Sequence, residues 1–588
     1  MADHEPVEIS SIPPVEQIIE DIDGHIQAPT AGFFEKYFPS LCLTDGEDDV
    51  AQQPRGSVQS DVMLGPAPHP QDFLPWFSSY TKMQSNNTLV KWHTLPASPS
   101  GSSDALLFLT PTDGSKTPEW RHIQVIDRFY EESSHDYQDG LLSLCGSAQR
   151  IFISQPTRLF LHGFYLRGSL IELWVFDRSG LCCSQVIDYS KEFHKFISIL
   201  LFYENMSEKD FGVNPLIATS GTNRYVMAGN EDWKVPGHRL LLDDEPLAFP
   251  EEIIDNGTTC YRARVPSSAL WEYVVKIKWR LAQRDRPEED ILKLIKMKDV
   301  WGVISFEYCK EVASTASLRD GLQSSRYRKL SNAKDQNTES SNQPPSQSIL
   351  ESTVETNNRF EDRICSCIIT SPPGRPLRTF KGILELLEVL RDAIKGHRSL
   401  LQKANILHQD ISPGNIIITD AQEQGRPKGI LIDFDVAMDL AVGPRTPGEV
   451  TGTRPFMAVG ILLGRRHWYR HDLESFLYVL IWSIITDGSE SPPRNSKLRM
   501  WSRGDWDDIA AGKTAEMEEA GFGSILAEFP EKFESLKQLA ESVRRILFPI
   551  VDGAVWTGTD NNPDTINSLY DGIIGAFEHA IALESAKL

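Results

Sequence analysis

The stretch ILHQDISPGNIIITD, residues 406–420, sets a His, two Asp and an Asn between apolar runs. Ile406–Leu407 and Ile416–Ile418 read as buried strand, and the polar residues between them surround Pro413-Gly414, which breaks any regular element. A polar loop pinned at both ends by buried chain is held at a surface in one shape, which suits a site better than a linker. After the polar turn AQEQGRPKG, the segment ILIDFDVAMD at 430–439 places Asp433 and Asp435 at the end of an apolar strand. Carboxylates there are costly unless a cation or hydrogen bonds stabilise them. Magnesium takes oxygen ligands and bridges protein groups to substrate phosphates, so Asn415 and Asp433 suit it together with a nucleotide. Asp410 is then left to act as a base. Taken alone, Asp410 and Asn415 are also ordinary turn formers that bond their own backbone; Asp433 downstream is what separates the two readings.

Composition narrows the setting. The chain has 588 residues, with 59 Lys and Arg against 82 Asp and Glu, a formal charge of -23. Such a surface repels phosphate backbones, so nucleic acid is not an expected partner. Eight cysteines without a C-x-x-C pair suggest neither a disulfide framework nor a zinc site, which points to a reducing compartment. The acidic start MADHEPVEISSIPPVEQ lacks the apolar core of a signal peptide. The longest apolar run, FLYVLIWSII at 476–485, is half the ~20 residues needed to cross a bilayer. An intracellular protein, cytoplasmic or nuclear and not in a membrane, is expected.

Outward from the opening loop, TFKGILELLEVLRDAIKGHRSLLQKAN at 379–405 carries a helical stripe of Ile383, Leu386, Leu387, Leu390 and Ile394. Upstream, TRLFLHGFYLRGSLIELWVFDRSG at 157–180 alternates around Arg167-Gly168 as a hairpin, with a second turn at Arg178–Gly180. A helix with Phe193, Ile197, Leu200 and Leu201 on one face follows a candidate Ser190 cap. Strands resume with EEIIDNGTTCYRARV and LWEYVVKIKWR, then a helix-like RPEEDILKLIKMK and a strand WGVISFEY. Two stretches read as unstructured: the acidic, Pro- and Gly-bearing 45–71, and 312–357, rich in Ser, Asn and Gln.

The spacing His408-x-Asp410-x-x-x-x-Asn415, followed by Asp433-Phe434, matches the order of catalytic and metal-binding loops in kinases. More narrowly, ILHQDISPGNI, LIDFDVA, TGTRPFMAVGILLG and YRHDLESFLYVLIW, in that order, resemble the fungal-type protein kinase family. The resemblance covers roughly 120–585 and is strongest over 380–485. It implies an α+β, bilobal protein-kinase-like fold with an N-terminal α+β extension and a disordered insertion in the small lobe. The corresponding division is 1–45, a helical segment; 46–115, a largely irregular linker; 116–240, the extension; 241–372, the small lobe with 312–357 disordered; and 373–588, a mainly helical large lobe.

The same resemblance implies transfer of the γ-phosphoryl group of ATP, with Mg2+, to Ser or Thr of a protein substrate. Asp410 would be the catalytic base, and Asn415 and Asp433 the metal ligands. Strand alternation offers Lys276 or Lys278 for the phosphates, and similarity to V-A-I-K selects Lys276. Glu288, beside Glu289, would orient that Lys, Gly257 would remain from the glycine loop, and the adenine would meet backbone near Cys367–Ser371. Thr453 resembles the threonine that contacts the catalytic Asp, and Asp472 the buried Asp that braces the catalytic loop; His408 is read as structural.

Departures from the pattern mark the chain out. Ser412 replaces a common Lys, Asp435 replaces the glycine of D-F-G, and Gly460 stands where A-P-E has its anchoring carboxylate. Two rival readings follow from these features: a small-molecule phosphotransferase of the aminoglycoside or choline kinase type, and a non-catalytic pseudokinase scaffold. Gln409 replaces the Arg that receives an activation-loop phosphate, so activity should not depend on phosphorylation at Thr446 or Thr451. A double Thr446→Val, Thr451→Val variant is expected to keep its phosphotransfer rate within about threefold of the unmodified chain. A large loss in a labelled-ATP assay, with folding intact, would overturn this.

Overall fold

The computed structural model describes residues 13–42, 65–84, 89–96, 104–112, 118–132, 136–227, 239–284, 286–323, 327–328, 360–420, 425–443, 450–551, 554–558 and 562–587. It divides into two compact units: the first is 1–270, 275–283 and 309–368, and the second is 271–274, 284–308 and 369–588.

The first unit is built on a mixed sheet. Its strands run, in spatial order, Tyr327–Arg328, Ile26–Gln27, Gly180–Cys183, Leu170–Asp177, Phe160–Arg167, Val125–Tyr130, Ala105–Pro111 and Val90–Pro96, with Ile187–Asp188 paired to Leu170–Asp177. The hairpin expected around Gly168 forms in register, pairing Arg167 with Leu170 and Phe160 with Asp177. Both faces are covered, so the central strands are almost wholly buried and read as apolar runs. Alternation then sorts side chains between two cores. Trp174 and Phe176 join one, with the helices Val15–Ile22 and Tyr137–Ser154; Leu173 and Val175 join the other, with the helices Phe73–Gln84 and Phe193–Glu204.

This sheet corrects the expected linker. Residues 43–64 lie outside the described residues, but the helix Phe73–Gln84 and the strands Val90–Pro96 and Ala105–Pro111 fall within 46–115 and are part of the core. Phe73 stacks on Phe129 at 4.7 Å, while Tyr80 and Trp92 both donate to the buried Glu204, at 2.8 and 3.0 Å. Nor does Ser190 cap the following helix, because its hydroxyl bonds Asp188.

A seven-stranded sheet follows, in the order Ser305–Ser314, Arg363–Ser371, Tyr273–Leu281, Thr259–Arg264, Arg239–Leu242, Asn223–Met227 and Ile217–Ser220. Its first hairpin lies before residue 240, so the small-lobe sheet starts some way earlier than the expected boundary at 241. The segment 251–257, expected as strand, is irregular and is held by side chains. Buried Arg178 donates to the carbonyls of Glu252 and Ile253, Asp21 accepts from the amides of Ile253 and Ile254, and Gln149 donates to Glu251.

The expected disordered insertion is corrected at its start. Residues 329–357 lie outside the described residues, but 312–323 are ordered without much apolar content. Ser314 and Ser317 form a reciprocal cap on the short helix Thr315–Leu318, and Gln323 bridges to Ala31. Arg319 grips Asp177 through two bonds of 2.6 Å, with both side chains almost completely buried. Removing one partner of such a pair strands the other charge. Arg319→Ala should therefore lose about 3–5 kcal/mol of stability, read as a lower urea midpoint; an unchanged midpoint would contradict the assignment.

The second unit is mainly helical after residue 383. Its long elements are Ile383–Ser399, Tyr469–Thr486, Trp506–Met517, Lys537–Leu547 and Pro563–Ser585. The helix Glu288–Met297 also belongs to it. Leu386, Leu387, Leu390 and Ile394 of the expected stripe are buried, whereas Ile383 is half-buried. Two small antiparallel ladders then frame the opening loop: Ile406–Leu407 pairs with Met438–Asp439, and Ile416–Ile418 lies between Arg375–Pro376 and Gly429–Leu431.

Candidate active site

Within the second unit, the two ladders suspend residues 408–415 and 432–437 side by side. His408 is fully buried; its Nε2 lies 3.0 Å from the Ile432 carbonyl and its Nδ1 accepts from the Asp410 amide at 3.3 Å. The first contact makes Nε2 the protonated nitrogen, and burial lowers the imidazole pKa, so the ring ties the two loops together as a neutral strut.

Beneath it lies Asp472, at the start of the helix Tyr469–Thr486 and wholly buried. Its carboxylate accepts from the amides of His408 at 3.0 Å and Gln409 at 3.2 Å. His397 and His467 each reach it through Nε2 at 2.7 Å, and His397 is braced in turn by the Tyr570 hydroxyl at 2.7 Å. Burial alone would raise the Asp472 pKa, but His467 and His397 outweigh it and hold the carboxyl well below the usual range. Gln409 adopts a left-handed φ of 68°, a conformation uncommon outside glycine. That turn lets its amide reach Asp472 while the next residue faces the opposite way.

Asp410 is that residue. Its Oδ1 accepts from both the amide and the hydroxyl of Thr453, each at 2.7 Å, and its Oδ2 accepts from Asn415 Nδ2 at 2.8 Å. Asn415 donates from the same nitrogen to the Asp410 carbonyl, which leaves its side-chain oxygen as the atom to offer a hard cation. Glu288 is buried and accepts from the Phe434 amide at 3.2 Å. Oxygen atoms of Glu288, Asp433 and Asp435 lie within 4.8 Å of one another, an all-oxygen set that fits magnesium. Asp435 is also paired with Arg284 at 3.1 Å. The left-handed residue of this loop is Asp433, at φ 63°, so replacing the D-F-G glycine by Asp435 costs no backbone strain.

Other expected residues lie in the first unit or at its edge. Lys276 is half-buried in the strand Tyr273–Leu281, whereas Lys278, on the same face, is 1% exposed. Charged lysines are rarely buried unless paired, and of the two Lys278 is the one enclosed by the fold. Glu289 is as buried as Glu288. Gly257 corrects its expectation: its amide is committed to Asp255 at 2.6 Å, and at φ 51° an added Cβ would meet Trp279 at 2.8 Å. It is a packing glycine and does not offer its amide to phosphate. The chain passes from the first unit to the second between Ile368 and Ile369, inside the stretch expected to meet adenine.

Sequence reasoning missed His397, His467, Tyr570 and Arg284. His397 and His467, which bond Asp472, and Tyr570, which bonds His397, come from separate stretches with no shared spacing, and Arg284 sits in an unpatterned turn. A cleft of about 400 Å³ lined by Leu401, Asn405, Leu440, Trp468 and Ile566 lies apart from the site, and no acid or cation lines it.

Residues 104–484 match the fungal protein kinase family. The chain belongs to that family. It is also similar to mitogen-activated protein kinase kinase kinase 8 of Rattus norvegicus, at 27% identity over 106 residues, which is 18% of this chain and 20% of that protein. The match thus spans about a fifth of the rat protein's length. In this member of the fungal protein kinase family the catalytic-type loop depends on Asp472. Asp472→Asn should lose about 3–5 kcal/mol of stability at pH 7, read as a lower urea midpoint. Because the folded pKa is depressed, the stabilisation is present above the unfolded value of about 3.9 and fades as pH falls through the folded one. The difference between the two proteins should therefore shrink below about pH 4; a difference independent of pH would contradict it.

Proposed function

We propose that the chain is a protein kinase that transfers the γ-phosphoryl group of Mg-ATP to Ser or Thr hydroxyls of a protein substrate. The observation that carries this reading is the Asp410 carboxylate, oriented by Thr453 and Asn415; in the neighbouring loop, carboxylate oxygens of Glu288, Asp433 and Asp435 gather within 4.8 Å of one another. In this mechanism the acceptor oxygen attacks the γ-phosphorus, its proton passes to Asp410, and the bond from phosphorus to the bridging oxygen breaks to release ADP. Asn415 and Asp433 would hold magnesium, which neutralises phosphate charge when bound. Glu288 orients the metal loop through the Phe434 amide. The strand lysine, Lys276 by motif or Lys278 by burial, holds the α and β phosphates.

The small-molecule phosphotransferase remains the rival reading. The segment TGTRPFMA favours a protein acceptor, because it places Thr453 directly on Asp410 and resembles the acceptor-binding segment of protein kinases. The scaffold reading fares worse, since the chain keeps Asp410, Asn415, Asp433 and the strand lysines. Seven described cysteines are free thiols and no described helix is long and apolar enough to cross a membrane. We propose, from the cysteine spacing and the acidic charge of the sequence, an intracellular protein, cytoplasmic or nuclear, without a nucleic-acid partner.

The test supplies purified protein with magnesium and γ-labelled ATP, offering casein, an aminoglycoside panel and choline as acceptors. Label should move to protein, and Asp410→Asn should lower the rate by roughly 10²–10⁴ while retaining ATP binding. Label on a small alcohol would move the assignment to the rival. Of Lys276→Met and Lys278→Met, the one that raises the KM for ATP identifies the phosphate lysine.

A further inference from the structure

Gly460 stands where a carboxylate ordinarily anchors the end of the acceptor-binding segment, and any side chain there would have to displace His471. A Cβ there would lie 2.5 Å from His471 Nε2. Yet residues 453–459 must be held firmly, because Thr453 gives both its amide and its hydroxyl to Asp410.

Two buried ionisable side chains from other helices hold them. Lys513, on Trp506–Met517, has no exposed surface, and its Nζ donates to the carbonyls of Pro455 at 2.8 Å and Met457 at 2.7 Å. The ammonium also lies 4.1 Å from the Tyr478 ring centre and 5.0 Å from that of Trp501. Glu474, on Tyr469–Thr486 and equally buried, accepts from the Val459 amide and the Tyr478 hydroxyl, each at 2.7 Å, and pairs with Arg470 at 2.9 Å. Ile509 and Ala510, preceding Lys513 on its helix, complete the contact by packing in one cluster with Met457, Val459 and Leu462. Burying a lysine costs several kcal/mol unless its donors are satisfied. Here the satisfying acceptors are the two segment carbonyls.

We propose that Lys513 and Glu474 are positioning residues that replace the missing carboxylate, fixing 453–459 as a rigid ledge on which a peptide acceptor docks. The proposal rests on the protein-kinase reading. Its consequence is that the anchor has moved from the end of the segment to the helices beneath it.

The experiment compares the unmodified chain with Lys513→Met, using casein as acceptor and, separately, equilibrium binding of ATP. The variant should raise the casein KM or lower its kcat by about tenfold in combination, while the Kd for ATP stays within about twofold. Amide exchange should quicken at Val459 and stay slow over 406–418. A folded variant with unchanged casein kinetics and unchanged exchange overturns the proposal. So does a matching loss of ATP binding, which a general structural role would produce. If Lys513→Met does not fold, Glu474→Gln should give the same split more weakly, and in the unmodified chain rapid exchange of the Val459 amide overturns the proposal whatever the variants do. Absence of any transfer to protein would instead sink the kinase reading, while the exchange pattern still decides the anchor.

Discussion

The Asp472 carboxylate is the constraint from which the rest of the second unit follows. A buried carboxylate is tolerated only when donors surround it, and this one collects two backbone amides and two imidazoles. Meeting that requirement fixes the path of His408 and Gln409 and pays for the left-handed turn at Gln409. Asp410 then has one direction left to face, toward Thr453 and Asn415. His408, made neutral by burial, carries the same order to Ile432 and so to Asp433. The site is therefore shaped from below, by groups that touch no reacting atom.

A comparable logic operates in the first unit, with the sign of the charge reversed. Arg178 is buried against the carbonyls of Glu252 and Ile253 and stacks on the Phe152 ring at 4.7 Å, while Asp21 takes the two amides on the other side. A segment with a single glycine thus keeps a defined shape because side chains from the extension impose it.

How much of this could be read from the sequence depended on the range of the interactions. The loops at 408–415 and 433–435 were legible because their chemistry is local: fixed spacing, a Pro-Gly break and flanking apolar runs. The hairpin at 160–177 was legible for the same reason, with alternation on both sides of Gly168. Phe73, Tyr80 and Trp92 were hidden in a stretch whose average composition resembles a linker, since their partners Phe129 and Glu204 lie far along the chain. Arg319 was hidden by its polar neighbours, because one ion pair with Asp177 does what apolar content normally does. In the strand YVVKIKW the period of two puts Lys276 and Lys278 on one face, so only burial could rank them.

The relocated anchor also bears on why buried charge is kept in this fold at all. An apolar residue in place of Lys513 would remove a desolvation penalty, and apolar residues in place of Glu474 and its partner Arg470 together would do the same, an exchange that is often neutral or stabilising. But apolar side chains cannot choose between neighbouring backbone registers. Two carbonyls on one ammonium and one amide on one carboxylate define where Pro455, Met457 and Val459 sit along the chain direction. Thr453 lies two residues from the first of those points, so a slip of one residue would take its hydroxyl off Asp410. The buried pair is best understood as setting register next to the reactive carboxylate, with stability given up to do so.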